Sequence, residues 1–322
     1  MTDVQRRRRR SRGAERPMVP DAEFTSYYGR PVVKPAPWTS EIPAYLFLGG
    51  LAAGSAVLGA GADLSRRPRL RQTGRLGALG AITLGLAALV HDLGKPSRFL
   101  NMLRVVKPTS PMSMGIWVLA LFSPAASIAG AAELQRWLPR PLARLVGATA
   151  RPAGLAAAVT APAVATYTAV LLADTATPGW HEAYRELPFV FAGSAASAAG
   201  GLAMLAVPRS EAGPARRMAV GGAVMELAAA QRMESSMGMV AETLQQGRAG
   251  TMLRLGKALT LAGAAGSLLA SRSRFAAAAS GAAFLAGSAL NRFGTFEAGQ
   301  ASARDPKYTV VPQRERIRAR DD

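Results

Sequence analysis

The stretch LGALGAITLGLAALVHDLGKPSRFLNML, residues 76–103, decides the fold of this chain. Its first part, Leu76 to Val90, is an apolar run, and His91 and Asp92 follow it directly. Placing an ionisable pair at the rim of a membrane span costs free energy unless water, a partner or a substrate interacts with the pair. We therefore predict a membrane helix that ends in a functional pair.

Composition extends this prediction to the whole chain. Of its 322 residues 49% are hydrophobic, yet the net charge is +19. The charges gather in tails and loops and avoid the apolar runs, which is typical of a polytopic membrane protein and not of a nucleic-acid binder. We expect membrane lipid around the chain and no nucleic-acid partner. Abundant glycine and alanine within the runs favour close helix packing in lipid.

The chain has no cysteine and only two histidines. Disulfides, thiolate zinc sites and iron–sulfur clusters held by this chain are thereby excluded. His91 and His181 both lie outside the span centres, which argues against a cytochrome with two haems. We predict no metal and no haem in this chain, so any metal redox centre belongs to another subunit.

Eight apolar segments predict the fold class: an all-α, polytopic integral membrane protein with eight transmembrane helices. Most of them approach the ~20 residues that a bilayer core requires. The sixth is interrupted by Glu226, Arg232 and Glu234, and the eighth is short. The segments are Pro43–Ala62, Leu76–Leu93, Met112–Leu134, Leu155–Ala173, Leu187–Val207, Met218–Met239, Met252–Ala270 and Phe275–Leu290.

A weak repeat divides the chain. Glu41-Ile42-Pro43 and the following FLGG resemble Glu186-Leu187-Pro188 and the following FAGS, although the small residue alphabet also permits chance similarity. Each copy opens a group of four spans, which predicts two four-helix bundles. The domains expected are a basic disordered tail at 1–37, a first bundle with the quinone site discussed below at 38–180, a second bundle at 181–300 and a polar basic tail at 301–322.

Loop charges address the orientation in the cell membrane. Eight spans place both termini on one side, and the short loops on the opposite side carry most of the arginines. The positive-inside rule then puts the termini outside. The arginine run at 6–10 and the basic C-terminal tail argue the other way. Between spans two and three, residues 97–107 have the helical spacing of a short interfacial helix.

The rim residues on the side of the termini suit a quinone headgroup. Its two carbonyls need hydrogen-bond donors, and Tyr167 and His91 are suitable. A carboxylate such as Asp92 can hold the histidine tautomer and exchange the protons that accompany two-electron transfer. Alternatively, Asp92 pairs with Lys95 and Tyr167 is an interfacial aromatic. The predicted cluster consists of Trp38, Glu41, His91, Asp92, Tyr167, Asp174, His181 and Glu182.

Glu226 lies inside the sixth run, and Glu234 follows it. An intramembrane glutamate is a candidate for a proton path. It is equally a candidate for a buried ion pair that fixes helix packing. Arg232 is not at the i+4 position of Glu226, so either interpretation requires a partner on another helix.

Several ordered motifs resemble the NrfD-like, or polysulfide reductase membrane-subunit, family, over roughly residues 38–314. They are Tyr45-Leu46-Phe47-Leu48-Gly49-Gly50, the segment from His91 to Met114, Tyr167 to Asp174, Trp180-His181-Glu182 to Phe189, and Arg292 to Gly299 with Lys307-Tyr308.

This resemblance implies an eight-span subunit without cofactors of its own, which exchanges electrons with membrane menaquinone or ubiquinone. It implies an iron–sulfur (ferredoxin-like) partner and a molybdenum-type catalytic partner, so the chain is a non-metal quinone-reacting subunit and not a stand-alone enzyme. By position, the resemblance assigns Tyr167 and His91 to the family's quinone site. Trp38, Glu41 and Asp92 are assigned to it as supporting residues. The substrate of the complex stays open, because its chemistry lies in another chain.

Two other readings compete with the redox subunit. A secondary transporter or proton-translocating protein would use the repeated bundles and Glu226 without any redox partner. A passive anchor would use the rim cluster only as a docking surface.

Overall fold

The computed structural model describes residues 31–321, and all regular structure in that range is helical. The predicted N-terminal tail lies outside the described residues up to position 30. Within residues 31–321, nine longer helices follow one another, and short helical turns lie in the loops at Arg98–Met102, Gln135–Trp137, Pro178–His181, Gly238–Ala241 and Glu242–Gln245. The longer helices are α1 Glu41–Leu64, α2 Pro68–Asp92, α3 Pro111–Glu133, α4 Arg140–Ala173, α5 Leu187–Ala206, α6 Gly213–Ser236, α7 Gly247–Gly266, α8 Arg274–Arg304 and α9 Lys307–Asp321.

Five helices, α1 to α5, are long and apolar enough to cross a membrane. The helices α6 to α8 have 20 residues or more but are less apolar. The predicted all-helical membrane architecture is thus found, while the crossing of the bilayer by all eight helices stays a prediction. Backbone groups in lipid are satisfied within a helix, which explains why these runs adopt no other structure.

Several helices are longer than their apolar segments. Helix α2 begins at Pro68 instead of Leu76, and α4 begins at Arg140 instead of Leu155. Both have proline in the first two positions, where its missing N–H costs no helical hydrogen bond. The polar first turns extend beyond the apolar core, so hydropathy underestimated both helices. The polar segment after residue 301 contains the last turn of α8 and most of it forms α9.

The long helices pack against their neighbours in sequence and against more distant helices. Helix α1 contacts α2 and α4, α3 contacts α2 and α4, α5 contacts α6 and α8, and α7 contacts α8. Helix α1 also packs against α5, and there Gly54 permits a close approach. A β-carbon on Gly54 would lie 2.6 Å from the carbonyl oxygen of Ala195.

Long-range contacts define two ends of the helix assembly. At one end, which we call the terminal end, Thr39 contacts Asp92, Trp180 contacts Thr295, and α9 contacts the loop after α4. The opposite end gathers residues 62–75, 133, 204–211 and 270–274. There Glu133 accepts hydrogen bonds at 2.9 Å from Arg71 and from Arg75, whose side chain is 7% exposed. These two arginines, assigned to a loop by hydropathy, are helical and ion-paired.

Candidate functional site

Glu41, His91 and Asp92 come together at the terminal end, as the sequence analysis expected for the rim. Nδ1 of His91 lies 3.2 Å from Oε1 of Glu41. The hydroxyl of Thr39 bridges the two carboxylates: it lies 2.8 Å from Oδ1 of Asp92 and also contacts Glu41. Asp92 therefore takes its hydrogen bonds from Thr39 and not from Lys95. The imidazole of His91 remains 78% exposed.

Tyr45 lies one helical turn deeper than Glu41 on α1. Its side chain is buried, and its hydroxyl has no hydrogen-bond partner among the described residues. The ring lies against α2, where a β-carbon on Gly85 would be 3.5 Å from Cδ2 of Tyr45. A buried phenol without a partner is unusual because buried polar groups are normally satisfied. Tyr45 is not among the predicted rim residues; in the sequence it belongs to the motif Tyr45–Gly50, and its i+4 spacing from Glu41 was the available signal.

Tyr167 lies between α4 and α3. Its ring is so close to Gly115 that a β-carbon there has no room. The side chain is half-buried, and its hydroxyl forms no hydrogen bond with any residue in the range 31–321. The phenol is thus available as a donor, but no hydrogen bond joins it to His91 within the described chain.

Trp38 has a packing role in the structure. Its ring stacks on the fully buried Trp180, with centroids 5.7 Å apart, and Trp180 donates to the carbonyl of Thr295 at 2.9 Å. These contacts attach the chain before α1 to the last turns of α8. Beside them opens a cleft of about 360 Å³, bordered by Trp38, Arg248 and Glu297 among others.

Asp174, His181 and Glu182 border another cleft at the terminal end. It has a volume of about 470 Å³, and α9 forms its other wall. Nδ1 of His181 lies 3.0 Å from the carbonyl oxygen of Ala173, which orients the imidazole. Arg316 of α9 closes the cleft with an ion pair to Glu182 at 2.9 Å.

A second ion pair holds the start of α9. Nζ of Lys307 lies 2.9 Å from Oε2 of Glu242. This hydrogen bond is the main cause that lowers the pKa of the Glu242 carboxyl, and it raises the pKa of Lys307 to about 12. The C-terminal helix is therefore docked by ion pairs at its first residue and in its second half.

Glu226 meets a charged partner within the helix assembly. Oε1 of Glu226 accepts from Nδ2 of Asn291 at 2.8 Å, and the guanidinium of Arg292 attracts the carboxylate without a direct hydrogen bond. Arg292 is 1% exposed and donates to the carbonyl of Phe191 at 2.6 Å. Four atoms of this group lack partners in the described chain: Oε2 of Glu226, Oδ1 of Asn291, and Nε and Nη1 of Arg292.

The partner of Glu226 thus lies on another helix, as the spacing to Arg232 required. Arg292 could not be identified as that partner from the sequence, because it follows the short eighth apolar segment and resembles a flanking residue. Glu234 lies two turns beyond Glu226, is half-buried and has no partner in the described part of the chain.

The predicted cluster therefore occupies separate places. Glu41, His91 and Asp92 form one group, and Asp174, His181 and Glu182 form another beside α9. Tyr167 lies between α3 and α4, and Trp38 packs on Trp180. Within residues 31–321, no three His, Asp or Glu side chains are grouped as a metal site.

Comparison with known families identifies the helix assembly. The model of the polysulphide reductase NrfD family matches residues 32–262, more than half of the chain. The chain belongs to the polysulphide reductase NrfD family. The predicted resemblance is thereby confirmed, and no curated protein matches the chain. Family members are quinone-interacting membrane subunits of redox enzyme complexes, which work with iron–sulfur and molybdenum-type subunits. This chain is accordingly an integral membrane protein.

Proposed function

We propose that this chain is the quinone-reactive subunit of a multi-subunit oxidoreductase, and that the quinone headgroup binds at the terminal end of α1 to α4. The observation that carries the proposal is the succession of His91, Glu41 and the unpartnered hydroxyl of Tyr45. Residues at i and i+4 lie about 6 Å apart along a helix, so this succession leads from the exposed rim into the helix assembly.

The residues present fit a quinone. A quinone accepts two electrons and two protons, and its carbonyl oxygens require hydrogen-bond donors. The hydroxyls of Tyr45 and Tyr167 are both free to donate within the described chain. Glu41 and the exposed His91 provide a route for protons, and Thr39 holds Asp92 beside them.

The electrons come from a partner in this proposal. An iron–sulfur subunit docks on the terminal end, near the rim group, and a molybdenum-type subunit carries the primary chemistry. The chain itself has no cysteine to ligate a cluster. The quinone is menaquinone or ubiquinone, held as an exchangeable substrate. We further propose eight spans in two bundles, with both termini outside the cell membrane.

The test is quinone-analogue turnover by the complex, purified through this chain in mild detergent. Tyr45→Phe, Tyr167→Phe and His91→Phe each remove one group of the proposed site, and we expect each to lower turnover while iron and molybdenum remain bound. Tyr184→Phe is the matched control, because it removes an exposed hydroxyl outside the site. Normal turnover in all three site variants would favour the passive anchor instead.

Proton translocation is the second candidate function, and the group around Glu226 favours it. Buried polar atoms without protein partners usually bind internal water, and water chains carry protons. Glu234 extends the route from Glu226 toward the terminal end over about 12 Å of helix. In liposomes with a pH-sensitive dye, Glu226→Gln would abolish proton movement but keep quinone turnover. Solute movement by the chain without any redox partner would support a secondary transporter.

A further inference from the structure

A groove separates α6 and α7 at the opposite end of the molecule. Helix α6 packs mainly on α5, and α7 packs mainly on α8, so the two helices hardly contact one another there. The groove has a volume of about 370 Å³. The polar residues Arg216, Arg217 and Ser271 border its mouth, and the apolar residues Val220, Ala264 and Leu268 line its walls.

The two arginines at the mouth have no acidic partner. Neither guanidinium forms a hydrogen bond or an ion pair with any residue between 31 and 321. They are the fourth and fifth residues of α6, close to its N-terminus, where the helix dipole disfavours positive charge. The nearest acid in sequence, Glu211, already accepts from the backbone N–H groups of Arg69 and Leu70. The mouth therefore carries two uncompensated positive charges.

Neighbouring arginines are used differently. Arg209 donates to the carbonyl of Arg272 at 2.6 Å, and Arg274 donates to the carbonyls that end α5. These contacts close the loops, whereas Arg216 and Arg217 are left for an external anion. One apolar side chain of the groove is open to the surroundings, since Leu268 is 80% exposed. A ligand of the groove thus meets charge at its mouth and hydrocarbon along its walls.

We propose that this groove binds an anionic phospholipid of the membrane. The phosphate lies between Arg216 and Arg217, and one acyl chain follows Val220, Ala264 and Leu268. Basic pockets between membrane helices bind anionic headgroups in this manner. The lipid neutralises the two arginines near the start of α6 and fills the space that α6 and α7 leave between them.

The test is lipid binding by the full chain in mild detergent, followed by native mass spectrometry. The probes are dioleoyl phosphatidylglycerol, dioleoyl phosphatidylcholine and inorganic phosphate. We expect phosphatidylglycerol to bind more tightly than phosphatidylcholine. Arg216→Gln with Arg217→Gln weakens phosphatidylglycerol binding roughly 30-fold, because each arginine near an anionic surface contributes about 1 kcal/mol.

A second double variant is the matched control. Arg140→Gln with Arg144→Gln removes the same charge from the start of α4, at the same end but outside the groove. Its phosphatidylglycerol binding is expected to stay within twofold of the unchanged chain. An equal loss in both double variants would overturn the proposal in favour of general surface attraction. If the groove variant aggregates, Arg217→Gln alone repeats the test, because Arg217 is exposed.

The acyl chain has its own test. Ala264→Phe fills the inner wall without changing charge, and it should weaken the binding of both phospholipids. Unchanged binding in this variant, or displacement of phosphatidylglycerol by equimolar inorganic phosphate, would show a site for the free anion and overturn the lipid proposal.

Discussion

The guanidinium of Arg292 lies over the ring of Phe191, with its central carbon 3.6 Å from the ring centroid, and also donates to the carbonyl of that residue. This contact joins α8 to α5 in the interior of the helix assembly. A cation is attracted to the face of an aromatic ring, and the attraction is stronger away from water. Phe191 thus stabilises a buried charge whose counter-charge, Glu226, forms no direct hydrogen bond with it.

Replacement of Arg292 by Met should destabilise the protein by roughly 3–5 kcal/mol, since it leaves the carboxylate of Glu226 buried without a counter-charge. The double variant Arg292→Met with Glu226→Gln should recover much of that loss, because no charge is left unpaired. Thermal unfolding in detergent measures both. A double variant as unstable as Arg292→Met would contradict this account of the pair.

Tyr45→Phe should lower quinone turnover but leave the stability of the protein almost unchanged. Its hydroxyl has no partner in the described chain, so its removal breaks no protein hydrogen bond. We expect the free energy of unfolding to change by less than about 1 kcal/mol. Quinone-analogue turnover by the complex should fall about tenfold, the effect of one lost hydrogen bond to the ligand. A large loss of stability with normal turnover would show that Tyr45 is only a packing residue.

Two glycines of α1 should respond oppositely to alanine. At Gly54 a β-carbon would lie 2.6 Å from the Ala195 carbonyl oxygen, whereas at Gly61 nothing lies within 4 Å. Gly54→Ala should destabilise by about 1–3 kcal/mol through overpacking. Gly61→Ala should stabilise by about 0.5–1 kcal/mol, because alanine is the better helix former. Melting temperatures of the two variants in the same detergent provide the comparison, and the same shift in both would rule out a packing cause.

Docking of α9 should depend on pH. The lowered pKa of Glu242 means that its ion pair with Lys307 is fully present above the ordinary value of 4.5 and is lost as the pH falls through the lowered value. The raised pKa of Lys307 means that the pair persists below its ordinary value of 10.5 and is lost as the pH rises through about 12. Docking should therefore be constant between these limits.

The chain has no cysteine, so a spin label on Ala319→Cys reports the mobility of α9 directly. We expect the label to become mobile only at the acidic and alkaline limits. Glu242→Gln removes the carboxylate and should abolish the acidic transition of that contact, while the ion pair of Arg316 with Glu182 remains. An acidic transition of equal size in this variant would assign it to another group.

The site could be predicted only in part from the sequence. Adjacent residues such as His91 and Asp92 are necessarily close, and the i+4 spacing of Glu41 and Tyr45 follows from helix geometry. The distribution of Asp174, His181 and Trp38 could not be predicted, because it depends on where α9 and the last turns of α8 lie. These contacts join residues far apart in the chain, and loop composition does not encode their relative placement.

The sequence by itself determined the all-helical membrane fold class, because apolar runs can satisfy their backbone only as helices in lipid. Its ordered motifs determined the family. Only the tertiary structure decided which charges are buried and with what partners. Packing between distant helices pairs Arg75 with Glu133. It also places Asn291 and Arg292 beside Glu226. Hydropathy describes the preference of a single residue for water or lipid. The free-energy cost of a buried charge depends instead on the groups that the fold places around it.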